Sequence, residues 1–202
     1  MATNIGDSLA IVEYHEGWYS NDPNDPGAET LAGISRANFP NAEIWPLVDA
    51  ARSAPNFPAC LRQDAAVMSA IQSFYTVNFV EPLRLNSVTH QLLADELLDF
   101  AVNCGDGAAV RILQCCYDVL IRKLPGDAGA LADDGAMGPV TLGAINSANG
   151  PDANLLLAFF VGARVGRYVS LVIARPASEE FLRGWLLRIF DKLPYTQWLN
   201  AA

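Results

Sequence analysis

The sequence predicts a mainly α-helical fold with at most a small β-turn or hairpin near residues 18–34. Three observations predict it. Apolar residues recur at spacings of three and four through most of the chain, the period of a helix with one buried face. No long alternating stretch marks a half-buried strand. Hydrophobic residues fill 51% of the 202 positions and charged residues only 17%, which suits a packed core and excludes a disordered chain.

Taken in order, Ile5, Leu9 and Val12 share one face and predict a helix over residues 5–16. Residues 17–30 hold Gly17, Pro23, Pro26 and Gly27 among Asn and Asp, which is turn chemistry. Residues 40–58 carry Pro40, Pro46, Pro55 and Pro58 and predict a long loop with a short helix. Helices are expected over 60–80 and 87–103. The clearest periodicity follows over 106–123, where Val110, Leu113, Tyr117, Leu120 and Leu124 recur at three and four. A loop over 125–138, with Pro125, Gly126, Gly129 and the pair Asp133–Asp134, leads to helices over 139–148 and 153–174. Pro176 stops the second, and Ser178 with Glu179 and Glu180 starts another to about Phe190. The apolar stretch 155–174 contains Arg164 and Arg167 near its middle, so it reads as a buried helix and not as a membrane span. Both arginines are expected to pair with acidic residues of the N-terminal half.

Thirteen basic and 22 acidic residues give a formal charge of −9. That balance argues against a protein that works by neutralising nucleic acid phosphates, and it does not exclude an uncharged polymer such as a glycan. The acidity is uneven. Residues 1–60 carry 2 basic and 8 acidic groups, whereas residues 151–202 carry 6 and 4. The cysteines Cys60, Cys104, Cys115 and Cys116 form no CxxC pair, and the histidines are His15 and His90. A zinc site is not expected from that set, and the thiols read as small buried side chains. The first fifteen residues carry Asp7 and Glu13 and lack the basic start and apolar run of a signal peptide.

Glu16 continues the spacing Ile5, Leu9, Val12, so it falls on an apolar face. Burial raises the pKa of a carboxyl, which suits a general acid near neutral pH. The loop that follows supplies Asp22, Asp25, Glu29 and Thr30. Glycosidases need two carboxyl groups flanking the scissile bond. The bland alternative is a solvent-facing Glu16 at a frayed helix end, with Asp22 and Asp25 as turn formers. His15 beside it orients the loop or favours the helix C-terminus as a cation.

The stretch from His15-Glu-Gly-Trp-Tyr-Ser-Asn-Asp-Pro-Asn-Asp-Pro-Gly-Ala-Glu to Thr30, then Gly33-Ile34-Ser35, resembles the signature of glycoside hydrolase family 108, E-G-G-Y-x-N-D-P-x-D-x-G-G-x-T-x-x-G-I-[ST]. The resemblance continues through 39–44, at Phe74-Tyr75 and Phe79, and at Asp99-Phe-Ala-Val-Asn-Cys-Gly105. The second half resembles the companion peptidoglycan-binding region at 109–114, at Asp134-Gly-Ala-Met-Gly-Pro-Val-Thr-Leu142, and at Phe181-Leu-Arg-Gly-Trp185.

The resemblance implies a lysozyme-like helical fold, with residues 1–105 as the catalytic region and 106–202 as a peptidoglycan-binding region packed with it. It implies an N-acetylmuramidase, with a non-catalytic wall-binding or secretion-regulating protein of the same fold as the alternative. Glu16 matches the proposed catalytic glutamate, and Asp25 and Thr30 match the acidic and hydroxyl positions of the loop. Asp22 competes with Asp25. The same layout resembles the glutamate–aspartate–threonine set of phage-type lysozymes, with Asp25 nine residues after Glu16 and Thr30 five further on, where that set has six. Trp18, Asp22, Tyr75, Phe79 and Asn103 are the implied substrate-binding residues. For Tyr75 and Phe79 the alternative is core packing, and for Asn103 a helix cap. Asp134, Gly135, Gly138, Pro139 and Thr141 form the implied wall-binding motif, whose simpler reading is a tight turn with Pro139 opening a helix.

Three departures stand out. Trp18 occupies the family's second glycine and offers a platform for a sugar face, Ala28 replaces a loop glycine, and residues 49–65 look inserted. Leu187 also stands where the last motif tends to have Asn. The expected partner is the glycan strand of peptidoglycan, with no nucleic acid, no membrane span and no cofactor. Expected delivery is from the cytoplasm to the wall by a holin or secretion apparatus.

Overall fold

The computed structural model describes residues 18–21, 29–123, 126–176 and 179–190. The helix expected over 5–16, and with it His15 and Glu16, lies outside the described residues, as do Asp22, Asp25 and Ala28. The described chain is mainly helical with one small antiparallel sheet. It divides into two compact units, residues 2–86 and residues 87–202 with Met1.

In the first unit, strands β1 (Tyr19–Asn21), β2 (Glu29–Leu31) and β3 (Ile34–Ser35) lie in sequence order. The hairpin expected near 18–34 thus carries a third, two-residue strand. Leu31 pairs with Ile34, so Ala32 and Gly33 form a two-residue turn. Their φ angles are +48° and +78°, the left-handed pair that suits the twist of a hairpin. Gly33 adopts this without cost, while Ala32 is strained and completely buried. Its backbone holds it there: the Ala32 N–H donates to the Trp18 carbonyl at 2.8 Å. The Ala32 carbonyl accepts from the Tyr75 hydroxyl at 2.6 Å.

Helix α1 (Ile44–Ala51) is the short helix expected within the proline-punctuated segment. It buries Ile44, Trp45 and Val48. The indole N–H of Trp45 donates to the Phe39 carbonyl at 2.7 Å. The single helix expected over 60–80 is three pieces: a 3-10 turn (Ala59–Gln63), helix α2 (Ala65–Tyr75) and a π-helical turn (Thr76–Val80). Asp64 breaks the first from the second. Its extended backbone and carboxylate cap α2, accepting from the N–H groups of Ala66 and Val67 at 2.8 and 3.3 Å. Leu31, Ile34, Ile44, Leu61, Val67, Ile71 and Tyr75 form the core of this unit.

In the second unit, α3 (Gln91–Cys104) and α4 (Asp106–Leu120) meet at Gly105, whose φ of +83° ends one helix and starts the other. The ring of His90 caps α3, its Nδ1 accepting from the Leu93 N–H at 3.2 Å. Nine successive residues of α3, from Leu93 to Ala101, are buried, including Asp95, Glu96 and Asp99. A helix covered all round cannot be read from an amphipathic stripe. In α4 the expected face holds at Val110 and Leu113, while Tyr117 and Leu120 are half-buried. Gln114, Cys116 and Asp118 are buried beside them. Helices α5 (Pro139–Ser147), α6 (Pro151–Ala174) and α7 (Glu179–Phe190) complete the unit.

By length and composition α6 could cross a membrane. Its inner face nevertheless buries Leu156, Leu157, Phe160, Val161 and Tyr168. Arg164 joins that face completely buried, donating from Nη2 to Asp99 at 2.6 Å and from Nη1 to Glu96. Its guanidinium also lies 5.0 Å from the Phe100 ring centroid. Arg167, expected to pair alongside it, is exposed. The thiols differ from the expectation of four buried groups. Cys116 is buried, Cys60 and Cys104 are intermediate, and Cys115 is exposed, because neighbours on a helix point about 100° apart.

Candidate active site

The hairpin sorts its side chains by strand alternation. Ser20 pairs with Thr30, and Thr30 with Ser35, so three hydroxyl residues cross the sheet on one face. Thr30, the expected catalytic hydroxyl, sits half-buried at the centre of that row. Glu29 and Leu31 flank it and point to the opposite face, where both are buried.

Glu29 is the hub of an ion network that the loop pattern alone did not reveal. Its carboxylate lies 2.7 Å from Arg52 and 2.8 Å from Arg36, and it accepts the Tyr19 hydroxyl at 2.8 Å. Asp49 closes the network at 2.8 Å from Arg36 and 3.0 Å from Arg52. Two guanidiniums against two carboxylates leave no net charge, which makes the partial burial of Glu29 tolerable. Arg36 stacks over the Trp45 ring at 4.4 Å. Tyr19 packs edge-on to Phe57 at 5.1 Å. Burial and the bond to Glu29 push the Tyr19 hydroxyl above its ordinary pKa, and the Arg36 guanidinium holds the Asp49 carboxyl below the usual carboxylate range. Every oxygen of Glu29 is therefore engaged. Its role here is to fix β2 against α1.

Trp18 stands half-buried at the entry to β1, with the Arg62 guanidinium 4.9 Å over its ring. Its indole N–H is buried and finds no hydrogen-bond partner among the described residues. Tyr75 is almost fully buried and its hydroxyl is spent on the hairpin turn, so it supports the sheet from below. Phe79, half-buried in the π-helical turn, lies 5.8 Å from the Tyr75 ring. Phe74 joins this cluster and packs edge-on to Phe39 at 4.8 Å. Asn103 belongs to the second unit, near the end of α3, and its amide donates to the Asp99 carbonyl at 2.8 Å. Asp99 of the same motif is the buried partner of Arg164.

The second motif is knitted by Gln114, a residue whose sequence position gave no sign of this role. From α4 its amide donates to the Asp134 carboxylate at 2.9 Å and to the Thr141 hydroxyl at 3.1 Å. Its carbonyl accepts the Gly135 N–H at 3.1 Å. Asp134 accepts the Ala136 N–H at 2.8 Å, and the Gln114 bond draws its carboxyl below the usual range. Gly135 has φ +72°, and a Cβ there would lie 2.6 Å from the Gly107 carbonyl oxygen. Gly138 caps α5, Pro139 opens it, and Thr141 is buried. In this geometry the five motif residues hold the 126–138 loop onto α4.

Comparison with known proteins divides the chain between residues 105 and 108, later than the boundary of the compact units at residues 86/87. Residues 9–105 match the family model of glycosyl hydrolase 108, and residues 108–190 match that of a predicted peptidoglycan domain. No curated protein matches. Among solved structures, SagA of Brucella abortus superposes with a TM-score of 0.60 at 20% identity, over 92% of this chain and 89% of that one, a likeness of fold. Residues 9–105 thus carry a glycosyl hydrolase 108 domain, and residues 108–190 carry the predicted peptidoglycan domain.

Proposed function

We propose that this protein hydrolyses the β-1,4 bond between N-acetylmuramic acid and N-acetylglucosamine in bacterial peptidoglycan. Residues 1–105 would carry the chemistry and residues 106–202 would hold the wall. The observation that carries the reading is the family match, which spans the whole stretch from Glu16 to Thr30 and is joined in the same chain by a peptidoglycan domain. In the proposed mechanism Glu16 protonates the leaving oxygen. Asp25, with Asp22 as the competing carboxylate, activates water or stabilises the oxocarbenium-like centre. Thr30 holds the water. Supporting this assignment, Glu29 is already bound by two arginines and a tyrosine, which removes it from the carboxylates available to react. Thr30 lies on the other face of the strand, in a row with Ser20 and Ser35.

The test is mass spectrometry of muropeptides released from purified sacculi. The wild type should release fragments with new reducing ends at muramic acid, and Glu16→Gln should release none while keeping the helical circular dichroism of the wild type. Full lysis by that variant would sink the assignment. Saturable binding of the wild type to sacculi without any new reducing end would favour a wall-binding protein instead.

A further inference from the structure

Helix α6 buries one face in the second unit and leaves the opposite face bare and apolar. Leu155, Phe159, Gly162, Gly166, Val169 and Ile173 follow one another at alternating steps of four and three. At about 100° per residue they fall within an arc of about 80°. Buried Leu157, Phe160 and Arg164 lie on the far side of the helix. Leu155, Phe159, Val169 and Ile173 are 43, 37, 40 and 76% exposed. Between them the two glycines occupy the middle of the helix, where glycine is a poor helix former. A Cβ added at either would meet nothing within 4 Å beyond its own helix. The packing of a single copy therefore gives no reason for glycine at either position. Small residues four apart let a second helix approach closely, backbone to backbone.

We infer that this face is the seam of a homodimer, in which α6 of one copy packs antiparallel on α6 of a second copy about a two-fold axis level with the midpoint between Gly162 and Gly166. The order of side chains along the face is self-complementary. Antiparallel pairing about that midpoint sets Leu155 against Ile173 of the second copy, Phe159 against Val169, and Gly162 against Gly166. A two-fold contact has this property, because residue i meets j and j meets i. Alternating steps of four and three suit helices that cross at a shallow angle, so the contact runs along the helix. Charge favours the antiparallel sense. Exposed Asp152 at the start of α6 comes level with exposed Arg175, just past the end of α6 in the second copy, and this happens at both ends of the seam. A parallel pair would set Asp152 beside Asp152 and Arg175 beside Arg175. A lipid surface suits the face less well. Glycines at its centre have nothing to insert, and a formal charge of −9 disfavours anionic headgroups. Because α6 lies within the predicted peptidoglycan domain, the dimer would join two such domains, and two linked modules hold one polymer more tightly than one. The seam itself does not rest on the muramidase reading.

The contact of one helix pair is small, so association is expected at roughly 10–100 µM. Sedimentation velocity of the full chain across that range should show monomer giving way to dimer. Gly162→Gln places a long side chain at the centre of the seam, where a single copy has open space. It should weaken the dimer roughly tenfold or more, while helical circular dichroism and Tm match or exceed those of the wild type. Ile173→Glu, at the most exposed end of the seam, should weaken it likewise. Arg175→Asp should weaken association, and adding Asp152→Arg to it should restore the dimer, a rescue that only the antiparallel pairing allows. A wild type that stays monomeric at roughly 300 µM, a dimer that survives Gly162→Gln and Ile173→Glu, or a charge swap without rescue overturns the proposal. A monomeric wild type that instead co-sediments with phosphatidylcholine vesicles also overturns it and makes the face a lipid contact.

Discussion

Replacing Arg164 with methionine tests how the second unit is held together. Arg164 is completely buried, and so are its partners Glu96 and Asp99. Methionine fills similar volume but removes the guanidinium from which both buried carboxylates accept. Breaking a buried pair in this way costs about 3–5 kcal/mol. The lost contact with the Phe100 ring, 5.0 Å from the guanidinium, adds up to about 2 kcal/mol where water is excluded. A loss of about 4 kcal/mol is a large share of the 5–15 kcal/mol typical of a domain. With a urea dependence of about 2 kcal/mol per molar, the midpoint should fall by roughly 2 M. Urea unfolding followed by far-ultraviolet circular dichroism reads this directly. The companion variant replaces the whole cluster, Glu96→Leu and Asp99→Leu with Arg164→Met. It should recover most of the loss, because the penalty lies in keeping buried charge after its arginine is removed and not in the absence of the ion pair. A midpoint shift below roughly 0.5 M for Arg164→Met, or a triple variant no better than the single one, would refute the reasoning.

Three further outcomes are expected. Gly135→Ala must place a methyl 2.6 Å from the Gly107 carbonyl oxygen at φ +72°, a strain of about 2–4 kcal/mol that should lower Tm by roughly 10 °C in a thermal melt. The Asp134 carboxyl is held below its ordinary pKa, first by Gln114 and then by the Ala136 N–H. Its stabilisation is therefore complete above about pH 4 and lost as the pH falls through the lowered folded value, and Asp134→Asn should flatten the acid limb of a stability–pH curve. Burial pushes the Cys116 thiol up to about 12 while Cys115 is exposed. A thiol reagent at pH 8 should label Cys115 first, as peptide mass spectrometry would reveal, and faster labelling of Cys116 would contradict the burial.

The residues that could be read in advance are those that act locally. Pro139 opens α5, because a proline fits the first turn of a helix whatever surrounds it. Turn residues and three-to-four spacing located most helices within a few positions. They missed the break at Asp64, whose extended backbone and carboxylate cap α2, and the π-helical turn that follows α2. The carboxylates were the hardest to read. Glu29 and Asp99 both sit in motifs that resemble a catalytic region, yet each is an anchor bound by arginine.

By itself, the sequence determined that this protein is mainly helical, that a small hairpin follows residue 18, and that its two halves carry the glycosyl hydrolase and peptidoglycan patterns. Those features rest on backbone propensity, periodicity and a long contiguous motif. Only the tertiary structure decided which polar residues are committed to the fold. Asp99 meets Arg164 across 65 positions, Glu29 meets Arg52 across 23, and Gln114 meets Thr141 across 27. A carboxylate or amide looks the same in sequence whether it faces a substrate or a buried partner. The low dielectric of the interior makes the distinction, because there an unpaired polar group is costly and a distant residue must satisfy it.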